Sequence, residues 1–147
     1  MKIEFVILAD AAEVVGGKLY LLGGAWNQYR CRAFPSPATM ALVTSILVDW
    51  SEAGRRYPLT MTLADEAGVP VVPPVNGEVD IGRPPEGPEG PQRTVVALNA
   101  HVSLPRPGRY TFEVTAGTAK STIIFDAVFV GKRVEIPSSG SGSGIGH

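Results

Sequence analysis

A single cysteine, Cys31, stands among 147 residues, so no disulfide can form within the chain. Histidine is nearly as scarce, with only His101 and His147. No His/Cys cluster at zinc spacing exists, and neither a metal nor another cofactor is expected. Charge is sparse too: 18% of residues are charged and the net charge is -1, against a usual charged share of about a quarter. The basic residues are scattered, which argues against a nucleic-acid partner and against docking on an anionic membrane. There is no run of about 18 apolar residues, hence no spanning helix. The apolar N-terminal run is interrupted by Glu4 and ended by Asp10, with no small-residue cleavage site after it. A signal peptide is therefore not expected, and the cytoplasm is the default location.

What the chain does have is strands. Lys2–Ala9 and Lys18–Trp26 are apolar on both faces and are joined by a short connection ending in Gly16-Gly17. Period two puts Ile3, Phe5, Ile7 and Ala9 on one face of the first, with Val6 and Leu8 on the other. The Gly23-Gly24 pair inside the second marks a bulge or a close backbone approach. Residues 27–38 hold Pro35 and Pro37 and read as a crossing between sheets. Thr39–Trp50 places Met40, Leu42, Ile46, Val48 and Trp50 on one face, and Ala41, Val43 and Leu47 on the other. Tyr57–Ala64 alternates cleanly, and Asp65-Glu66-Ala67-Gly68 reads as a type I turn closed by glycine. Val69–Val72 is expected to complete that hairpin at a sheet edge, because of Pro70.

Glu78–Ile81 is a short strand. Arg83–Pro91, RPPEGPEGP, supports neither helix nor ladder and reads as an exposed connector. Gln92–Leu104 and Arg109–Thr115 alternate, with the tight turn Pro105–Gly108 between them. Ser121–Val130 is apolar on both faces and is expected to continue into Lys132–Ile136. Ser138–Gly146 is Gly/Ser-rich, so residues 137–147 read as a flexible tail or linker after a single domain at 1–136. Eight or nine strands with turn signals between them and no helical periodicity predict an all-β, antiparallel two-sheet β-sandwich. A closed barrel is the alternative.

Two segments, MKIEFVILADAAEVVGGKLYLLGGAW at 1–26 and LPRPGRYTFEV at 104–114, carry a resemblance, together with the PLTMTLADEAG hairpin at 58–68. They resemble a family of small uncharacterised bacterial proteins recorded as a domain of unknown function. The resemblance covers about residues 1–136 and implies a compact cytosolic domain. It brings no catalytic residues.

The residues support no catalytic constellation, and the chain is read as a non-enzyme. There is no Gly-x-Ser-x-Gly elbow. Cys31 stands between arginines in Tyr-Arg-Cys-Arg, a setting that suits a reactive thiol, but no base is identifiable, and a strand-end or loop cysteine is the plainer reading. Asp65, Glu66 and Asp80 suggest an inter-loop calcium site, yet turn-forming aspartate is far commoner. Trp26, Trp50 and Tyr57 suggest an aromatic platform, against the commoner core role. The best polar set is Asn99, His101 and Ser103, which share one face of one strand. A small-ligand site there is the functional reading; a solvated sheet face is the plain one.

The leading functional expectation is a non-catalytic interaction or self-assembly module, with small-ligand binding and then an uncharacterised enzyme as alternatives. It rests on strands that fail to alternate. Val6, Leu8, Tyr20, Leu22, Val43, Leu47, Ile124 and Val128 all lie opposite the expected core. If adjacent, they form an apolar patch larger than monomers tolerate. A symmetric homodimer packed sheet to sheet, or another protein, would cover it. The intramolecular alternative is cover by residues 27–38.

Overall fold

The computed structural model describes residues 1–131. The expected strand at 132–136 and the tail at 137–147 lie outside the described residues. Nine strands run in order: β1 (Lys2–Val15), β2 (Lys18–Gly24), β3 (Gln28–Cys31), β4 (Ser36–Val48), β5 (Arg55–Ala64), β6 (Val75–Ile81), β7 (Gln92–Leu104), β8 (Gly108–Ala116) and β9 (Ala119–Phe129). They form two packed sheets, ordered β2-β1-β4-β7 and β3-β9-β8-β5-β6. Among the described residues there is no α-helix, only a 3-10 turn at Trp50–Glu52, and no helix is long and apolar enough to cross a membrane.

The sandwich is not wholly antiparallel. Residues 27–38 do cross between sheets, but on the way β3 pairs parallel to β9, from Gln28 with Asp126 to Cys31 with Phe129. Nor does Val69–Val72 form the edge strand. It makes one isolated bridge, Ala64 to Pro70, and β6 takes the place beside β5 instead. Arg83–Pro91 carries no regular structure, as its prolines dictate.

Between the sheets lies a core of large side chains, including Leu8, Met40, Leu42, Ile46, Leu63, Leu104, Tyr110 and Phe125. Tyr110 stacks on Phe125 at 5.5 Å between ring centroids. Its hydroxyl donates to the Arg106 carbonyl at 2.6 Å and accepts from the Arg106 N–H at 3.3 Å. This is the geometry of a tyrosine corner, in which a buried ring locks the turn that leads into its own strand. Gly108, in that turn, has φ +138°, a value only glycine adopts without strain.

A bulge in β1 decides what faces this core. The register with β4 shifts between Ile3 and Phe5, so Glu4 is the extra residue. Beyond it every side chain changes face. Val6 and Leu8, expected outside, therefore pack in the core with Ile3, while Phe5 and Ile7 turn outward. The Thr44 hydroxyl donates to the Phe5 carbonyl at 3.1 Å, filling the gap in the ladder. Outside, the Glu4 carboxylate accepts from Ser45 Oγ at 2.8 Å and from Arg93 Nη2 at 2.8 Å. These bonds, the Arg93 one foremost, hold its pKa down to about 2.

Candidate functional site

The outer face of β1, β4 and β7 is apolar and small: Ile7, Ala9, Ala41, Val43, Val95 and Ala97. It is covered by the chain itself. β1 runs past the end of its pairing with β4 at Ala9–Ala41 and continues to Val15 paired only with β2. This β1–β2 arm curls across β4 toward β7. Ala12, Leu19 and Leu21 on its inner face close a second hydrophobic cluster with Ala9, Ala41, Val43, Ile7, Val95 and Ala97. Val43 has 0% of its surface exposed. Alanines on the sheet let the arm approach, and they explain why these strands do not alternate.

Asn99 fastens the arm. Its Nδ2 donates to the Ala12 carbonyl at 3.0 Å and its Oδ1 accepts from the Ala12 N–H at 3.4 Å. Asn99, His101 and Ser103 do share a face of β7, opposite Ala41, Thr39 and Pro37. The Asn99 amide, however, is engaged by the backbone, and His101 Nδ1 meets Thr39 Oγ1 at 3.2 Å. Asn99 and His101 are thus engaged within the sheet and the arm.

The eight residues expected to form one patch are dispersed. Val6 and Leu8 are in the main core and Val43 is in the second cluster. Leu47 is half-buried on the outer face of β4. Ile124 and Val128 lie on β9, in the other sheet, among Arg30, Arg109 and Asp126. Only Tyr20 and Leu22 remain together and open, at 56% and 74% exposed. They sit on the outer face of the arm beside Ala11, Glu13 and Val15, in the pairs Ala11–Leu22 and Glu13–Tyr20.

Among the described residues β2 is also a free margin of its sheet. Gly16 and Gly17 both have positive φ, +58° and +74°, and make a two-residue type I′ turn. Such a turn is closed by a hydrogen-bonded pair, here Val15–Lys18, so the bonds alternate from there. The N–H and C=O groups of Leu19 and Leu21 then point away from β1, into the open. The other margins are blunted. β3 has four residues, and β6 follows Pro73-Pro74. β7 is flanked by the connector at its start and by β6 along its middle.

The remaining sequence candidates resolve into structural parts. Asp65 Oδ1 accepts from the N–H groups of Ala67 and Val69, and its Oδ2 accepts from Arg106 Nη2 at 2.6 Å. Glu66 Oε1 accepts from the Arg109 N–H at 2.7 Å. The small cavity between these turns is thus lined by carboxylates already satisfied. Asp80 faces Arg56 at 3.7 Å, and no group of three His, Cys, Asp or Glu residues able to hold a metal occurs among the described residues. Cys31 is buried. Trp26 packs on Tyr29 and Phe125, whereas Trp50 is covered by the Arg83 guanidinium, so they form no common platform.

A model of a family of unknown function, DUF6941, matches residues 4–124. The chain belongs to DUF6941. The matched span of this DUF6941 domain runs from the β1 bulge into β9 and includes the whole β1–β2 arm. No curated protein matches the chain. Residue patterns alone pointed to Tyr20 and Leu22 but missed the arm and its Asn99 brace. The available signal was the placing of Gly16-Gly17 and Gly23-Gly24 at the two ends of one apolar strand.

Proposed function

We propose that this DUF6941 domain is a non-catalytic interaction module that engages another polypeptide through the outer side and free margin of the β1–β2 arm. One observation carries the reading. Among the described residues, Tyr20 and Leu22 are the largest neighbouring apolar side chains left open, and they lie on the strand whose outward backbone groups have no partner there. Addition of a strand to such a margin satisfies those groups, while alternate side chains supply the specificity. The arm is a thin lever held by small contacts and one amide brace, suited to meeting a partner without disturbing the main core. The lone cysteine supports a cytoplasmic setting for this role.

A photo-crosslinking amino acid at Leu22 tests it, with the same group at Thr60 as the control. The reading expects a protein adduct, to a second copy or to another chain, at position 22 and not at 60. Equal labelling at both positions, or none at either, contradicts it.

A further inference from the structure

We infer that the chain occupying the free margin of β2 is a second copy of this one, paired antiparallel about a two-fold axis at Tyr20. The inference rests on the interaction reading above and specifies its partner.

Three features of the strand are self-complementary. First, Leu19 and Leu21 carry the outward backbone groups and lie symmetrically about Tyr20. An antiparallel second copy centred there sets Leu19 against Leu21 of the other chain, and Leu21 against Leu19. Each is a hydrogen-bonded pair, so all four outward groups of each strand are satisfied. Any centre displaced toward the arm's root would place Gly23, at φ +60°, in the ladder.

Second, the same register makes Tyr20 face Tyr20 across a non-hydrogen-bonded position, where opposed side chains approach most closely. Two rings that are individually more than half exposed then cover each other. Lys18 falls opposite Leu22 of the other copy, laying its methylene stem along the most exposed leucine.

Third, the charges match. Antiparallel pairing brings the turn end of one arm, with Lys18, beside the root of the other. There the Asp10 carboxylate sits over Gly23, close enough that a side chain on Gly23 would collide with it. Neither Lys18 nor Asp10 has an ion-pair partner among the described residues. The interface so formed is a continuous eight-stranded sheet through two arms, distinct from face-to-face packing of the sheets.

Light scattering at about 100 µM chain, well above a micromolar Kd, tests the inference. Wild-type protein is expected at twice the mass of one chain. Tyr20→Glu opposes two carboxylates on the axis and should give monomer, with an unchanged circular dichroism spectrum. Lys18→Asp should weaken the dimer at least tenfold, and Lys18→Asp with Asp10→Lys should restore it. Tyr20→Cys should form a disulfide dimer under mild oxidation, while Ile124→Cys should not. A monomeric wild type overturns the inference, as does a dimer that survives Tyr20→Glu. If the wild type is monomeric yet Leu22 still crosslinks to a different protein, only the second copy is excluded and the interaction reading stands. If it is monomeric and Leu22 crosslinks to nothing, both fail.

Discussion

The two hydrophobic clusters of this domain are built from different materials. The main core is filled by Tyr110, Phe125, Phe112, Met40 and leucines drawn from both sheets. The second cluster is mostly alanine and valine, lies on one sheet only, and is roofed by a hairpin. Large side chains joined by long-range contacts resist opening. A roof held by Leu19, Leu21 and the Asn99 brace is the part expected to open first. The comparison separates what makes the domain fold from the part proposed to meet a partner.

Neighbouring residues of β4 break the comparison most severely, because Leu42 faces the main core and Val43 the second cluster. Leu42→Ala is expected to cost about 2–5 kcal/mol, as fully buried leucines do when the site cannot collapse. Val43→Ala removes two carbons and is expected to cost about 1.5 kcal/mol at roughly 0.8 kcal/mol per buried methylene. Urea midpoints of the two variants measure the difference, and equal losses would deny that the clusters differ.

Asn99→Ala sharpens it. The substitution leaves the Ala12 N–H and C=O without their partner, a penalty of about 1–3 kcal/mol, confined to the arm. Amide exchange in residues 11–22 should accelerate by about ten- to a hundredfold, with β8 and β9 unchanged. Uniform acceleration along the chain would mean that the arm is not a separate unit.

Acid acts on the outer rim of the same sheet. The folded-state pKa of Glu4 is depressed from 4.5 to about 2. A depressed carboxylate contributes stability that is present above its unfolded pKa and lost as pH falls through the folded one. That contribution should therefore fade between about pH 4.5 and 2, and Glu4→Gln should flatten this part of the profile of urea midpoint against pH. A variant that loses stability with the same slope as wild type would show that the bonds to Ser45 and Arg93 do not hold in solution.

The smallest effect belongs to the connector. Removing two or three residues within 85–90 should shift the midpoint by less than about 0.6 kcal/mol, since loop-closure entropy varies slowly with length. A larger loss would show that these prolines pack. Arg83 is excluded from the deletion because its guanidinium donates to the Trp50 carbonyl at 2.7 Å.

Much of this fold was legible in the residues. The alternation of β5 and β8 follows period two, and the division of β4 into Met40/Leu42/Ile46/Val48 and Ala41/Val43 faces is as expected. The bulge at Glu4 was not legible. A single inserted residue reverses the facing of Val6 and Leu8 while leaving an equally apolar sequence on both sides. The arm was hidden for a related reason. An apolar outer face looks the same in one chain whether a second subunit or its own hairpin covers it. Asn99 read as a ligand-facing amide because its partner is backbone, which leaves no residue-specific mark 87 positions away.

The central claim is that the second cluster is sealed within one chain, which leaves the arm's outer side as the surface proposed to meet a partner. The unfolding of Val43→Glu and Leu22→Glu, followed by urea at sub-micromolar chain, tests it most directly. The account predicts that Leu22→Glu keeps the midpoint of the free monomer within about 0.5 kcal/mol. Val43→Glu, which buries an unpaired carboxylate beneath the arm, should lose several kcal/mol or fail to fold. A Val43→Glu monomer as stable as Leu22→Glu would show that Val43 is not enclosed and would contradict the account.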